Sequence, residues 1–235
     1  MSYDHPELAG SKLHPKVLRP KDAATLILVR RDRGNPRILM GQRAQGHAFM
    51  PNKYVFPGGR LDPSDCRVRP VKDLHPSTLA KLMDRMRGRP SEARARGLAH
   101  AAVRETWEEA GLLFGRADPG HAPDLSGLTL FMRAITPPGR TRRFDSRFFV
   151  ADAEHLANID QPHHDGGGEL LTLSWLTLDE IASLDLPLIT IDALQRLKPF
   201  LDAGRLPEAA ANGIRYLRVP LNLGKPTDRD GHSRG

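Results

Sequence analysis

Two stretches, Phe56-Pro57-Gly58-Gly59-Arg60-Leu61-Asp62-Pro63-Ser64-Asp65 and Ala101-Ala102-Val103-Arg104-Glu105-Thr106-Trp107-Glu108-Glu109-Ala110-Gly111-Leu112, decide how the rest of the chain is read. The second places Glu105, Glu108 and Glu109 at i, i+3 and i+4, so on a helix the three carboxylates share one face. Like charges this close repel, and a helix closing at Gly111 adds its own partial negative charge beside them. A hard divalent cation that prefers oxygen ligands, Mg²⁺ or Mn²⁺, would relieve the repulsion. For an isolated Glu-x-x-Glu-Glu, a solvated acidic face would do so equally well. The Gly58-Gly59 pair allows close backbone approaches that side chains would block.

Together the two stretches resemble the Nudix box, Gly-x5-Glu-x7-Arg-Glu-U-x-Glu-Glu-x-Gly-U, where U is a bulky apolar residue. Gly59 takes the first position, and Arg104 to Leu112 follow the second half closely. Asp65 stands where the pattern has Glu, Thr106 is less apolar than its position asks, and residues 66–103 replace the usual seven with thirty-eight. The resemblance implies a Nudix α/β/α sandwich around a central mixed sheet, with a helical insertion (66–98) inside the box. It also implies water attack on the phosphoanhydride of a nucleoside diphosphate derivative, and divalent cations to neutralise that group.

Carried over residue by residue, the resemblance makes Glu108 and Glu109 metal ligands, helped by the main-chain carbonyl of Gly58. Glu105 is either a further ligand or the base that takes the water proton. Arg104 orients these carboxylates, Asp65 ties its loop to Arg104 without touching metal, and Gly59 lies against the substrate. Asp145 and Glu169, in loops bordering strands, are base candidates outside the box, each with a structural alternative. Val103, Trp107 and Ala110 are expected to face the sheet as core.

Upstream, Arg43-Ala44 stands at the right distance from Phe56-Pro57-Gly58-Gly59 to resemble the pattern of coenzyme A-directed Nudix enzymes. Ala48 replaces that pattern's second arginine and Asn52 its glycine. The phrase from Ala48 to Gly59 is similar to the divergent peroxisomal CoA diphosphatase branch and its bacterial relatives, which also carry a long insertion in the box. This implies Arg43 as a substrate contact and CoA or acyl-CoA as substrate, cleaved to a phosphopantetheine product and 3′,5′-ADP. The other reading of the same stretch is a loop packed beneath the helix. ADP-ribose, NADH or a nucleoside triphosphate is the alternative substrate. A non-catalytic Nudix-fold binding module is the alternative of another kind, and the retained Arg104, Glu105, Glu108 and Glu109 argue against it.

The rest of the chain frames the box. Residues 1–20 read as an irregular arm, 21–205 as the domain, and 206–235 as a C-terminal extension with a flexible end. Ala23 to Val29 is a buried strand, and Ile38-Leu39-Met40 opens a second that ends near Arg43. In the insertion, Leu79, Leu82, Met83 and Met86 predict about three turns of helix, capped at Ser77 and stopped at Gly88. A new helix starts at Pro90-Ser91-Glu92 and runs into the box. The insertion's place beside the metal site suggests that it narrows the substrate pocket, although a passive surface helix serves as well. Strands are expected at Leu128 to Ile135, Arg147 to Ala151 and Leu170 to Leu176. Thr177 to Glu180 carries a capping box, and a last helix spans Ile189 to Leu201.

Between the middle strands, the loop from Thr136 to Asp145 holds Arg140, Arg142 and Arg143. It either grips the pyrophosphate or carries solvated charge. His163-His164-Asp165, in a Gly-rich loop, is not read as a metal site.

The formal charge is +7, from 35 basic and 28 acidic residues, which suits a phosphorylated small molecule as well as nucleic acid. No nucleic-acid-binding motif is present, so the expected partner is a small-molecule nucleotide; a homodimer stays open. The single cysteine, Cys66, excludes an internal disulfide and reads as a bystander. With no secretory signal and no apolar run long enough for a membrane span, a cytoplasmic protein is expected.

Overall fold

The structure, a computed structural model, describes residues 18–32, 34–45, 52–115, 120–138, 142–160, 170–209 and 215–218, the last group as backbone only. Its elements in chain order are β1 (Lys21–Arg30), β2 (Arg37–Arg43), β3 (Tyr54–Val55), β4 (Gly58–Arg60), α1 (Pro76–Met83), α2 (Glu92–Ala110), β5 (Thr129–Ile135), β6 (Phe144–Asp152), β7 (Leu170–Thr177), α3 (Leu178–Ala182), α4 (Leu188–Asp202) and β8 (Arg215–Arg218). Single 3-10 turns follow β4 at Asp65–Arg67 and β6 at Ala153–His155.

β1 is apolar without alternation because the sheet is covered on both sides. Leu26 and Leu28 join one core with α2, while Ile27 and Val29 join a second with α3 and α4. The strands run β3-β2-β1-β6-β5-β8, with β4 also on β1 and β7 also on β2. β1 pairs with β6 in parallel, from Lys21 opposite Phe144 to Val29 opposite Asp152. β5 and β8 are also parallel, and the remaining pairs are antiparallel. Helices on both faces of a mixed sheet make the expected α/β/α sandwich. Residues 215–218, assigned from sequence to the C-terminal extension, supply its last strand. The N-terminal arm lies outside the described residues up to 17.

The other edge of β1 is shared. Val29 and Arg30 pair with Ile38 and Arg37 of β2, whereas Ala23, Ala24 and Thr25 pair with Arg60, Gly59 and Gly58 of β4. The Gly-Gly segment, read from sequence as a loop, is therefore a short strand on the start of β1. A Cβ on Gly58 would come within 2.5 Å of the Ala24 carbonyl oxygen, so this approach needs glycine.

α2 begins where the sequence places it, with the Ser91 side chain accepting from the Arg94 N–H, and ends at Gly111 in the left-handed conformation (φ 65°). α1 differs from expectation. His75, not Ser77, caps it by accepting the Ser77 N–H, and the helix closes at Met83 after two turns. Pro76 explains the start, because a residue with a fixed φ and no N–H suits the first helical position. The inward stripe of α2 also needs correcting. Val103 and Ala110 are buried, but Thr106 takes the third inward place and Trp107 is only half-buried. The Thr106 hydroxyl donates to the Ala102 carbonyl at 2.8 Å, which lets a polar side chain lie in the core without an unmet donor.

Candidate active site

A cavity of about 1460 Å³ opens over the start of β1. Its lining includes Gly58, Gly59, Arg104, Glu105, Glu108 and Glu109 from β4 and the last turns of α2, together with Arg19, Lys21, Arg43, Arg142 and Arg143. β6 contributes Phe144, Ser146 and Phe148, and the start of α4 contributes Ile189 and Thr190. The alternation of β6 matters here: Asp145 and Arg147 do not line the cavity and lie on the opposite face of the strand.

The three carboxylates gather around the Gly-Gly strand. A Cβ on Gly59 would lie 2.2 Å from the Glu105 carboxyl carbon, so that carboxylate rests directly on the Gly59 backbone. The Gly58 N–H donates to Glu109 Oε2 at 2.8 Å, and Glu109 is buried. Arg104 Nη1 donates to Glu105 Oε1 at 2.9 Å and to Glu108 Oε2 at 2.7 Å. The same guanidinium reaches back to Asp65, Nε to Oδ1 at 2.9 Å and Nη2 to Oδ2 at 3.1 Å, and to the Arg60 carbonyl at 3.1 Å. Arg104 thus links β4, the turn after it and α2.

Asp65 is almost wholly buried and takes two further contacts, from the Asp62 N–H at 2.8 Å and His100 Nδ1 at 2.9 Å. Burial pushes its carboxyl up, but the His100, Arg104 and Asp62 hydrogen bonds outweigh it and hold the pKa at about 2. Burial lowers the Arg104 guanidinium, and Asp65, Glu105 and Glu108 more than offset it, so Arg104 stays charged.

This fixes a pH dependence. Because folding lowers the Asp65 pKa, its contribution is complete above the ordinary carboxylate value near 4 and is lost as pH falls through 2. Urea unfolding followed from pH 5 to pH 2 should show a loss on the order of 2 kcal/mol from this group. The Asp65→Asn variant should lack that component, and an equal acid-dependent loss in it would overturn the assignment.

The donor set suits a hard divalent cation: carboxylate oxygens, one of them on the exposed Glu108 side chain, and a glycine backbone at Gly59 that leaves room for the Glu105 carboxylate. Among the described residues, no three His, Cys, Asp or Glu side chains already converge on one point. Arg104 and the Gly58 N–H are the partners these carboxylates hold instead.

Other sequence candidates are placed differently. Arg43 and Arg142 line the cavity. Arg143 lines it too, but its Nε is turned onto the Thr136 carbonyl at 3.0 Å and its Nη1 onto the Leu18 carbonyl at 2.5 Å, so it fastens the chain ahead of β1. Arg140, Glu169 and His163-His164-Asp165 lie outside the described residues. Asp145 is not in a loop; it is a fully buried residue of β6 held by Arg133 at 2.7 and 2.6 Å, which removes it as a base. Cys66 is pushed up by burial, in keeping with an unreactive thiol.

No residue of the insertion (66–98) lines this cavity. The insertion is fastened to the sheet. Arg133 Nη1 donates to the Arg85 carbonyl at 2.8 Å and Arg94 Nη1 to the Arg87 carbonyl at 2.6 Å. Arg94 also pairs with Asp22, whose other oxygen takes Arg147 Nη1 at 2.8 Å. Among the cavity residues that sequence reasoning missed are Lys21 and Asp22, which only tertiary pairing brings to the site: the Leu61 N–H donates to the Asp22 carbonyl and the Lys21 N–H to the Arg143 carbonyl. His100 carried a signal, lying one turn before Arg104 on the same helix face.

No protein-family model matches the chain. Among solved structures it is similar to a Nudix hydrolase from Alicyclobacillus acidocaldarius, with 26% identity, a TM-score of 0.58, and coverage of 79% of this chain and 92% of that one. It aligns less closely with the Nudix domain of Shewanella oneidensis NrtR, solved with ADP ribose, at 10% identity and a TM-score of 0.48 over 84% of this chain and 93% of that one. A Nudix hydrolase from M. smegmatis, RenU, aligns at 20% identity and a TM-score of 0.44, covering 80% of this chain and 92% of that one. Among the described residues, no helix is long and apolar enough to cross a membrane.

Proposed function

We propose, for a chain that by fold and box is a Nudix-type diphosphohydrolase, that the substrate is CoA or an acyl-CoA, split at its pyrophosphate into a phosphopantetheine product and 3′,5′-ADP. The observation that supports this reading is a single cavity lined both by the carboxylates around Gly58-Gly59 and by Arg43, Lys21 and Arg142. A pyrophosphate bound there would take arginines on its free oxygens and, through a cation, the carboxylates. The choice of CoA rests on Arg43-Ala44 and its spacing to Phe56-Pro57-Gly58-Gly59.

Glu105, Glu108 and Glu109 would hold Mg²⁺ or Mn²⁺. When bound, such an ion neutralises the anhydride and makes a coordinated water more acidic. The protein's own residues do the rest. Arg104 keeps Glu105 and Glu108 on one side of the Gly-Gly strand, and Glu109 is positioned by the Gly58 N–H. Glu105 would serve either as a further ligand or as the base that takes the proton of the attacking water. The new bond joins the water oxygen to phosphorus, and the bridging oxygen leaves with the other phosphate.

Incubation with Mg²⁺ or Mn²⁺ and CoA, acyl-CoAs, ADP-ribose, NADH and nucleoside triphosphates, with products identified by mass, tests this. Release of 3′,5′-ADP from CoA or its esters is expected. Cleavage of ADP-ribose but not CoA would reject the substrate.

A further inference from the structure

The box of this chain departs from the common pattern at Asp65, whose side chain is one methylene, about 1.5 Å, shorter than glutamate. Asp65 nevertheless makes two contacts to Arg104. Two features of α2 account for this. Gly97 lets the 3-10 turn press against the helix: a Cβ there would lie 2.8 Å from Cys66 Sγ and 3.1 Å from the Cys66 backbone. One turn later, His100 Nδ1 meets the oxygen that also takes Arg104 Nε, while the Asp62 N–H and Arg104 Nη2 share the other. Each carboxylate oxygen therefore has two partners, and the group cannot rotate without breaking several hydrogen bonds.

We propose that Gly97 and His100 are positioning residues that compensate for the short Asp65, bringing it close and locking its orientation so that Arg104 Nη1 remains on Glu105 and Glu108. His100 touches no substrate in this account and acts through Asp65 and Arg104. Gly97 acts by the absence of a side chain: a Cβ there would press on Cys66, the residue next to Asp65, and the turn would have to give way. With a glutamate at position 65, the longer arm would reach Arg104 from further off and the histidine would be dispensable.

The test uses the full chain and two readouts. One is the Arg104 Nε–H signal by NMR, assigned by its loss in Arg104→Lys. The other is kcat and KM on the substrate found in the mass assay. In His100→Ala the Nε–H signal should weaken into exchange with water, and kcat should fall about tenfold with KM within about twofold. In Asp65→Glu/His100→Ala both should recover to near the wild-type values, which a merely stabilising histidine would not allow. A wild-type Nε–H signal and kcat in His100→Ala would overturn the proposal, as would a double variant no better than the single one. This proposal uses the reaction only as one readout. If the wild-type protein cleaves none of the nucleotides, the functional reading fails while the NMR comparison still decides the role of His100.

Discussion

Glu109→Gln is expected to leave a folded protein with turnover reduced by about a thousandfold, roughly 4 kcal/mol of transition-state stabilisation. The two effects separate because of the geometry at Gly58. The Gly58 N–H donates to Glu109 Oε2 at 2.8 Å, and a glutamine oxygen can accept that bond equally well. What glutamine lacks is the charge. A buried carboxylate on the sheet side of the site is the strongest available ligand for a hard cation, and a neutral amide is a poor one. Circular dichroism and thermal unfolding should match the wild type, and metal binding followed by Mn²⁺ relaxation should weaken sharply. Wild-type turnover in Glu109→Gln would mean that the cation is held elsewhere.

The largest expected effect on stability lies on the other face of β6. Asp145 is fully buried, binds Arg133 at 2.7 and 2.6 Å, and lies 3.0 Å from Arg147 Nη1. Asp145→Ala removes the carboxylate that holds the buried Arg133 and leaves Arg147 with Asp22, and should cost about 3–5 kcal/mol in urea unfolding. Burial already lowers the Arg147 pKa, with Asp145 opposing that shift. Arg133→Met/Asp145→Leu, which removes both partners of the closest pair, should recover much of the loss, since a packed apolar pair has no charge to desolvate. If the single variant unfolds at the wild-type urea concentration, the network is not what fastens the insertion turn at Arg85 to the sheet.

The two variants also show how far the sequence could be read. Glu105, Glu108, Glu109 and Arg104 lie within six consecutive residues of one helix, so helical spacing alone places them on neighbouring positions. Asp65 is far from them in sequence, and only its resemblance to the box's glutamate joined it to Arg104. Asp145 was misjudged because a charged residue flanked by arginines reads as loop. In the structure its charge is matched inside the sheet, by arginines from β5 and β6. The insertion leaves two readings open for a related reason. Its apolar stripe shows that one side of α1 is buried, but periodicity does not say against what.

The sequence by itself determined that the acidic residues share one face of a helix, the α/β/α class, the limits of α2 and the need for glycine at Gly58-Gly59. These depend on spacing along one helix, on caps, and on residues without side chains, all of which are local. Tertiary structure alone decided that Lys21 and Asp22 border the site, that Asp145 faces away from it, and that the insertion is fastened to the sheet. These depend on strand register and on which face of a strand is covered. Register is set by pairings between segments tens of residues apart, where a shift of one residue would exchange the two faces of β6.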